Sequence, residues 1–476
     1  MKIIGIIAEY NPFHNGHAYQ ISRIREETDA DFIVAAMSGD FVQRGEPAIM
    51  DKYARTRMAL QGGADLVIEL PVLWATSSAE DFAMAGVTLF EKMGCVDGLC
   101  FGAETDNLSL LSAIAAFLAD EPTDYRRLLT SHLKKGMSFP AARAKALCDT
   151  FRSAALPDAN SLSAILSSPN NILAIEYLKA LKRLHSSIEP ILLKRIGAGY
   201  HEETLLPAQN PASAETPALP TASASGIRAL LLRSALPTDT LLPEALRSAL
   251  PADTLLPEAL RSALPADTLL PEALRSALPA DALLPEALRS ALPAYALHIL
   301  EEYTASAPLI CAEDFSPLLG YQLLTQDRAH ISHIGGISPD LANRLYNNRF
   351  QFCSFTQFCE QNKSREVTYT RISRILLHLI LQITENSLAL GCSLDYIPYL
   401  RILGFRQNSR LLLSVLKKSA AIPMLKRLAA DSALLTPEAE EFLQKDIFAA
   451  DLYEQTKAIK GRTGFRSEYS RKLVRL

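Results

Sequence analysis

Two histidines near the start of the chain have the type and spacing to bind a phosphate group. His14 and His17 flank Gly16 and follow an apolar run and a turn that contains Pro12. The run is typical of a β-strand, and the histidines then fall at the start of a predicted helix. A helix N-terminus offers unpaired N–H groups and a partial positive charge, the glycine admits a ligand close to the backbone, and the imidazoles add donors. The pattern therefore favours nucleotide chemistry.

Two other interpretations of the histidine pair stay open. His14 and His17 could hold a metal, although zinc-binding helices space their histidines by four residues and add a carboxylate that is not placed here. The rings could also be buried structural side chains. Because a helix N-terminus disfavours a positive charge, we expect mostly neutral imidazoles that protonate more easily once phosphate is bound.

The residues around this pair resemble a known family. His14–His17 has the pattern HxGH, which is the signature of the nucleotidyltransferase superfamily related to class I aminoacyl-tRNA synthetases. Three longer stretches, Glu9–His17, Met37–Gly45 and Ser168–Leu173, are similar to the bacterial tRNA(Met) cytidine acetate ligases. The first stretch is specific, whereas HxGH alone would not be. The resemblance runs over most of the chain, except for the repeats described below.

The resemblance implies a fold and an activity. The fold would be a Rossmann-like, doubly wound parallel sheet of the HxGH nucleotidyltransferase type, followed by an all-α C-terminal domain. The activity would be that of a ligase that activates acetate with ATP to acetyl-adenylate and releases pyrophosphate. It would then transfer the acetyl group to N4 of the wobble cytidine of elongator tRNA(Met), forming N4-acetylcytidine. ATP is the implied cofactor and Mg²⁺ is expected on its phosphates, although no dedicated metal-ligand motif is visible.

The resemblance also implies which residues form the site. His14 and His17 would be catalytic by stabilising the α- and β-phosphates as charge shifts to pyrophosphate. The expected ATP-binding residues are Ile7, Ala8, Glu9, Tyr10, Asn11, Pro12, Phe13, His14, Asn15, Gly16, His17, Ala18, Tyr19, Gln20, Gly102, Asn170, Asn171, Arg195, Ser225 and Arg228. Sequence alone does not decide which of the two asparagines faces the nucleotide.

Two parts of this assignment carry alternatives. Ser225 and Arg228 lie in a segment similar to the ISSTxIR-type signature, but Gly226 stands where the pattern usually has threonine. An ordinary helix N-cap explains the serines equally well. The acetate pocket is unidentified, and the near-site candidates after the second strand are Asp40, Gln43 and Arg44.

Composition narrows the class of protein. The 476 residues suffice for two or three domains, and the net charge of −4 means that RNA binding must come from local basic patches. The seven cysteines form no CxxC pair, which favours reduced thiols in a cytoplasmic protein. The start lacks a signal-peptide pattern, and the apolar stretch Ile375–Ile383 is too short for a membrane span. We therefore expect no membrane association, and we predict no protein partner.

Alternating strand and helix patterns must position the motifs. The predicted strands are Lys2–Ala8, Asp31–Met37, Asp65–Leu70, Asp97–Phe101 and Ile188–Ile196. The predicted helices are His17–Glu27, Met50–Gln61 and Ser78–Met93, followed by a mainly helical passage over Leu108–Leu184. This order predicts a doubly wound sheet whose site lies at the carboxyl ends of the strands.

The chain divides into four predicted segments. Residues 1–205 form the nucleotidyltransferase-like ATP-binding domain, and residues 206–233 form a linker and the start of a phosphate-contact helix. Residues 234–303 contain a 14-residue repeat, SALPADTLLPEALR and close variants, that recurs four times before a decayed fifth copy. We interpret it as an insert without a catalytic role. Residues 304–476 form a helical tRNA-binding domain.

The tRNA contacts are expected in two basic stretches of the last segment. The expected residues are Arg371, Arg374, Lys460, Arg462 and Arg466. The first two lie beside an apolar stripe, and Phe465 and Tyr469 lie among the basic residues of the tail from Lys457 to Arg475. Basic residues among aromatics suit phosphate contact and base stacking, although a solvated helix end has the same pattern.

Two other functions stay open. A nucleotidyltransferase that adenylates a small phosphorylated metabolite uses the same HxGH loop but needs no long helical C-terminal domain. A non-catalytic RNA-binding protein with a degenerate nucleotide fold is the third possibility, and the intact motif counts against it. ATP–pyrophosphate exchange separates the three, because only the ligase would require acetate.

Overall fold

A computed structural model describes residues 1–137, 139–150, 159–195, 223–234, 286–364 and 366–476. Residues 206–222 of the predicted linker segment 206–233, and residues 235–285 of the predicted repeat segment 234–303, lie outside the described residues. The strands are β1 Ile3–Ala8, β2 Phe32–Ser38, β3 Phe41–Val42, β4 Glu46–Pro47, β5 Leu66–Leu70, β6 Gly98–Ala103, β7 Glu189–Lys194, β8 Leu400–Phe405, β9 Met424–Leu425 and β10 Val474–Arg475.

The helices of the described residues fall into two groups along the chain, before residue 235 and after residue 285. Before the repeats they are α1 Asn15–Thr28, α2 Lys52–Gln61, α3 Val72–Ala75, α4 Ala79–Met93, α5 Leu108–Asp120, α6 Thr123–Lys134, α7 Phe139–Thr150, α8 Ala159–Ser167, α9 Pro169–Arg183 and α10 Ala224–Ser234. From the last repeat copy onwards they are α11 Glu286–Ala291, α12 Ala294–Ser306, α13 Ser316–Thr325, α14 Arg328–Ser332, α15 Pro339–Asn348, α16 Phe355–Asn362, α17 Tyr369–Leu381, α18 Glu385–Ser393, α19 Arg410–Ser419, α20 Leu428–Asp431 and α21 Pro437–Gly461.

The central sheet places the site at its topological switch point. Its strand order is β10-β8-β5-β2-β1-β6-β7, with β9 paired to β8. The pairs β1–β2, β2–β5, β1–β6 and β6–β7 are parallel. The chain passes from β1 to β2 and β5 on one side, and then returns to β6 and β7 on the other. Ligands in such sheets bind where the strand order reverses, which here is the carboxyl end of β1 and β6.

The predicted α/β order of the first segment is confirmed. The five predicted strands correspond to β1, β2, β5, β6 and β7, and the three predicted helices to α1, α2 and α4. The end of the last predicted strand, at Ile196, lies outside the described residues. The strands were recognisable because they are short apolar runs that are buried on both faces, as in β1, where Ile3 to Ile6 are all buried.

The C-terminal region is mainly helical, as the sequence predicts, but it also adds strands to the sheet. β8 pairs with β5 in the antiparallel direction, and β10 and β9 pair with β8. No strand is predicted here from the sequence, because a short apolar run such as Leu400–Phe405 has no period that separates strand from buried helix. The addition covers the edge of β5 that would otherwise be unpaired.

Buried ion pairs join the C-terminal region to α2. The Lys52 Nζ lies 2.7 Å from Oε1 of Glu69 and 2.8 Å from Oε1 of Glu468, and Nη2 of Arg401 lies 3.1 Å from the same oxygen of Glu468. The Tyr53 hydroxyl donates to Glu468 at 2.8 Å. Since breaking a buried pair leaves an uncompensated charge, these contacts tie the end of the chain to the nucleotide half of the sheet.

The end of the repeat array, where the fourth copy joins the decayed fifth at Ser290, is part of the core beside the histidine motif. In α11 and the residue after it, Leu288, Ala291 and Leu292 are buried in the same apolar cluster as Phe13. The amide of Asn15 donates to the carbonyl of Ser290 at 2.7 Å. The end of the repeat array therefore packs against the start of α1.

Candidate nucleotide-binding site

The loop between β1 and α1 brings the two histidines to the carboxyl edge of the sheet. It contains a cis peptide bond between Asn11 and Pro12 and a left-handed residue, Tyr10, with φ of 48°. His14 is the N-cap of α1, with extended dihedral angles of φ −140° and ψ 176°. The predicted helix start after the first strand is confirmed, and the two imidazoles lie beside the N–H groups of the first turn.

The two imidazoles cap the helix with the same ring nitrogen. Nδ1 of His14 accepts from the N–H of Gly16 at 3.0 Å, and Nδ1 of His17 accepts from the N–H of His14 at 3.2 Å. The rings stack with their centroids 3.8 Å apart. Because a neutral imidazole has one donor and one acceptor, the proton of each ring is assigned to Nε2. Each histidine can thus donate from Nε2.

Burial keeps both rings neutral. It lowers the pKa of His14 to about 3, and the positive charges of Arg195 and Arg228 act in the same direction. Burial also holds the pKa of His17 well below its ordinary value, with further lowering by His14 and Arg195. The neutral state agrees with the sequence-based expectation, but its main cause is desolvation rather than the charge of the helix terminus.

The predicted ATP segment divides into buried and accessible residues. The buried members are Tyr10, Asn11, Pro12, Phe13 and His14. The partly exposed members are Ile7, Ala8, Glu9, Asn15, Gly16, His17, Ala18, Tyr19 and Gln20. The ring of Tyr10 packs edge-on against His17 with centroids 4.8 Å apart, so the buried aromatic side chain supports a histidine.

Arg228 reaches the histidine loop from α10. Its Nη1 donates to the carbonyl of Asn11 at 2.9 Å, and its Nη2 lies 3.3 Å from Oγ of Ser225. The Ser223 hydroxyl accepts from the N–H of Gly226 at 3.1 Å, which is an N-cap of the ordinary kind. The two interpretations of this segment are thus compatible, because one serine caps the helix while the arginine faces the loop.

Arg195 approaches the same site from the end of β7. Its Nη1 donates to Oδ1 of Asn170 at 3.3 Å. A Cβ at Gly102 would lie 3.2 Å from Cγ of Arg195, so the missing side chain makes room for the arginine stem. Asn171 is only 2% exposed, and its Oδ1 accepts from the N–H groups of Glu104 and Thr105. Asn170 is therefore the asparagine that faces Arg195.

Arg55 is a site residue that sequence reasoning missed. This guanidinium is fully buried and donates to the carbonyls of Glu9 at 2.7 Å, Ser38 at 3.0 Å and Met50 at 3.0 Å. It also bonds to the carbonyl of Gly39. The side chain thereby fixes the loops after β1 and β2 to each other. No sequence signal distinguishes it from a solvated arginine on a helix.

The three residues after β2 that were candidates for the acetate pocket differ in their contacts and exposure. Oδ1 of Asp40 accepts from the N–H of Lys52 at 2.7 Å, and burial raises the pKa of this carboxyl to about 7. Asp40 thus supports the start of α2. The N–H of Gln43 donates to Oε1 of Glu9 at 3.0 Å, while Arg44 is partly exposed.

The basic residues expected to bind tRNA lie in two groups. Arg371 and Arg374 are at the start of α17, which packs on the loop after β2, where Ser373 Oγ donates to the carbonyl of Gly45 at 2.8 Å. At the end of α21, Lys460 pairs with Asp314 at 2.8 Å. The next two members, Arg462 and Arg466, are exposed.

Neither a metal cluster nor a membrane-spanning helix occurs in the part of the chain that the structure describes. No three His, Cys, Asp or Glu side chains are grouped there so that they could hold a metal ion. None of the helices in those ranges combines the length and the apolar character needed to cross a bilayer. The seven cysteines are free thiols.

The chain is similar in sequence to known proteins over nearly its whole length. A profile described as HIGH Nucleotidyl Transferase matches residues 1–268 and 271–466. The chain is 34% identical over 454 residues to the tRNA(Met) cytidine acetate ligase of Acetivibrio thermocellus, which covers 95% of this chain and 94% of that protein. It is also 34% identical over 478 residues to the protein of the same name from a Thermoanaerobacter species, with 100% of both covered.

Solved structures give the same relationship. Thermotoga maritima TmcAL in its apo form superposes with a TM-score of 0.81 at 27% identity over 100% of both chains. A second structure of that protein, bound with alpha-thio ATP, superposes with a TM-score of 0.79. Sequence motifs, sheet topology and full-length similarity therefore agree that this chain belongs to the HIGH nucleotidyltransferase family and, within it, to the tRNA(Met) cytidine acetate ligases.

Proposed function

We propose that this protein is an ATP-dependent ligase that activates acetate as acetyl-adenylate and transfers the acetyl group to N4 of the wobble cytidine of elongator tRNA(Met). The observation that carries the proposal is the pair of neutral imidazoles at the N-terminus of α1, with Arg195 and Arg228 beside them. The names of the relatives supply the substrates, and the ATP analogue in the Thermotoga maritima protein supports a nucleotide at this fold.

In the first step a carboxylate oxygen of acetate attacks the α-phosphorus of ATP. An O–P bond forms, the bond from the α-phosphorus to the bridging oxygen breaks, and negative charge moves to the departing pyrophosphate. His14 and His17 would donate from Nε2 to the phosphate oxygens, because their Nδ1 atoms are held by the backbone. The protein then acts mainly by alignment and by stabilising charge, as phosphoryl chemistry requires.

In the second step the N4 amine of the cytidine attacks the carbonyl carbon of acetyl-adenylate. The C–N bond forms, AMP leaves, and N4 loses a proton. The base must be unstacked from its neighbours to reach the nucleotide edge of the sheet. The basic groups at the start of α17 and at the end of α21 would hold the RNA while this happens.

The ATP contacts of this proposal follow the described geometry. His14, His17, Arg195 and Arg228 would bind phosphates, and Asn170 rather than Asn171 would face the nucleotide. Gly102 makes room for the stem of Arg195 and so acts through that side chain. The partly exposed residues of the Ile7–Gln20 segment would line the remainder of the site.

Mg²⁺ stays an expectation of the proposal. The described residues offer no group of three potential protein ligands, so they provide no dedicated cage. With so few protein ligands, a Mg²⁺ ion would be held mainly by the phosphates of ATP and by water. There it would neutralise phosphate charge. We also retain the expectation of a cytoplasmic protein with reduced thiols and without a protein partner.

Acetate-dependent ATP–pyrophosphate exchange tests the first step, and acetylation of a tRNA transcript tests the second. We expect exchange only when acetate is present, and N4-acetylcytidine only on elongator tRNA(Met) that carries cytidine at the wobble position. A transcript with uridine at that position is the matched control. Exchange that requires a phosphorylated acceptor instead of acetate would replace this proposal by a metabolite nucleotidyltransferase.

A further inference from the structure

Glu104 occupies the N-terminus of α9. Its Oε1 accepts from Nδ2 of Asn170 at 2.6 Å and from the N–H of the same residue at 3.4 Å. Its Oε2 accepts from the N–H of Asn171 at 2.8 Å. A carboxylate is stabilised at a helix N-terminus by the unpaired N–H groups and the helix dipole. This end of α9 therefore holds a protein carboxylate, while the N-terminus of α1 carries the histidines.

The carboxylate decides which way the amide of Asn170 faces. Glu104 can only accept hydrogen bonds, so the NH₂ end of the amide must point towards it. The Oδ1 end then points away and accepts from Nη1 of Arg195 at 3.3 Å. Asn171 holds the other side of this arrangement, because its Oδ1 accepts from the N–H of Glu104 at 3.0 Å.

Arg195 needs such support. It is exposed at the end of β7, and a free arginine side chain has about 2 kcal/mol of rotamer entropy to lose when it is fixed. Its stem lies across Gly102, where a Cβ would be 3.2 Å from Cγ. Burial lowers the pKa of the Arg195 guanidinium, and the negative charge of Glu104 opposes this effect and so favours the charged form. Glycine, amide and carboxylate thus restrain one cation.

We propose that Glu104 is a positioning residue for the nucleotide, because through Asn170 it holds Arg195 in the orientation that contacts ATP. The inference rests on the proposed contact between Arg195 and ATP. Glu104 is not itself a ligand of ATP, since both of its oxygens are bound by α9. Replacing it with glutamine introduces an NH₂ group that competes with the amide of Asn170 and removes the constraint on its orientation.

A double-mutant cycle tests the inference. Glu104→Gln, Arg195→Gln and the double variant are compared with the unaltered protein by the Kd of a non-hydrolysable ATP analogue and by the KM for ATP in acetate-dependent exchange. We expect Glu104→Gln to raise Kd and KM about fivefold with kcat within about twofold, as for loss of one charge-assisted contact. In the Arg195→Gln background the same change should raise neither by more than about 1.5-fold, since coupled residues are not additive.

The outcomes separate the inference from the proposed function. An equal rise in both backgrounds, or no rise in either, overturns the positioning role of Glu104. If Arg195→Gln leaves the Kd unchanged, the proposed ATP contact of Arg195 fails and the inference fails with it. If the analogue binds with the expected coupling but exchange does not require acetate, the proposed ligase activity fails while the role of Glu104 stands.

Two further variants guard against a purely structural effect. Asp106→Asn is the matched control, because Asp106 lies in the same loop and forms an exposed pair with Lys194 at 3.1 Å. It should leave the Kd within about 1.5-fold, as expected for a surface pair. Asn170→Ala keeps both backbone N–H groups on Glu104 and should raise the Kd as much as Glu104→Gln does. A normal Kd in this variant overturns the inference even if Glu104→Gln does not fold.

Discussion

His14 and His17 depend on each other through the backbone of His14. Nδ1 of His17 accepts from the N–H of His14, Nδ1 of His14 accepts from the N–H of Gly16, and the two rings stack at 3.8 Å. Protonation of either Nδ1 would break one of these bonds and place a charge against its stacked neighbour. The pair is therefore built to act as neutral donors.

Removal of one donor should slow the activation of acetate. We expect His17→Ala to lower acetate-dependent ATP–pyrophosphate exchange at least about tenfold, which is about 1.4 kcal/mol of barrier. His298→Ala is the matched control, because this histidine is 70% exposed on α12. If the His17 variant keeps more than half of the exchange rate while the control is normal, the imidazole does not stabilise the reacting phosphates.

The lowered pKa of His14 should make stability depend on pH. The folded protein leaves this ring neutral down to about pH 3, whereas the unfolded chain binds a proton near pH 6.5. Stability from this group is thus fully present above the unfolded pKa and is lost as the pH falls below it. Between pH 7 and pH 5 the loss is about 2 kcal/mol.

The comparison with His14→Asn isolates this effect. Asparagine keeps an N-cap acceptor but does not titrate. The melting temperature of the His14→Asn protein should therefore fall less between pH 7 and pH 5 than that of the unaltered protein. The pairwise comparison is needed because burial raises the pKa of Asp40 and of Glu69 to about 7, and these carboxyls change stability in the opposite direction. Equal falls in both proteins would contradict the assignment.

Arg55 should be essential for the shape of the site. Lysine cannot reproduce a planar fork that binds several carbonyls, so Arg55→Lys leaves buried acceptors unsatisfied and should cost on the order of 3 kcal/mol. The melting temperature should fall by several degrees. Arg57→Lys on the same helix is the control, because Arg57 makes an exposed pair with Glu302 and its loss should cost less than about 0.5 kcal/mol. Equal falls in the melting temperature of the two variants would show that the hydrogen bonds of Arg55 to the loop carbonyls do not stabilise the fold.

The exposed arginines after α21 should affect RNA and not ATP. We expect Arg462→Ala together with Arg466→Ala to raise the KM for tRNA about tenfold and to reduce its salt dependence, while ATP–pyrophosphate exchange stays within about twofold. Lys417→Ala with Lys418→Ala removes the same charge from another exposed helix end. If both double variants weaken tRNA use equally, the effect is one of net charge only.

Deletion of two whole repeats, Ser248–Arg275, should leave exchange and melting temperature nearly unchanged. The end of the repeat array that packs beside α1 keeps its sequence in that variant, including Leu288, which is 0% exposed. Leu288→Asp is the contrasting change, because it buries an unpaired charge in the cluster around Phe13 and should lower the melting temperature by several degrees. Loss of solubility in the deletion variant would show that the repeats are structural.

The first half of the fold could be predicted because its strands are short apolar runs between helical patterns and its turns contain glycine and proline. The strand Leu400–Phe405 could not, because its partner β5 lies more than three hundred residues away in sequence and pairing of this kind leaves no local period. The same limit applies to Lys52 and Glu468, whose pairing joins distant segments.

For the site, the motif alone indicated a helix start with two imidazole donors. The sequence could not distinguish Asn170 from Asn171, because adjacent residues on a helix face different directions and only the structure shows which one meets Arg195. Arg55 gave no signal, since its function depends on carbonyls from three separate segments. Glu104 could have been noticed, because it lies three residues after the predicted strand Asp97–Phe101, at the carboxyl edge of the sheet.

The packing of the end of the repeat array beside α1 affects how the length of the array can change in the gene. Replication slippage adds or removes complete units from within the tandem array, so Arg228 on one side and Ser290 on the other keep the same neighbours after each event. Selection on the catalytic half would then leave copy number unconstrained as long as Leu288 and Leu292, which are buried in the same apolar cluster as Phe13, are kept. The array can therefore change in length without altering the residues that pack beside α1.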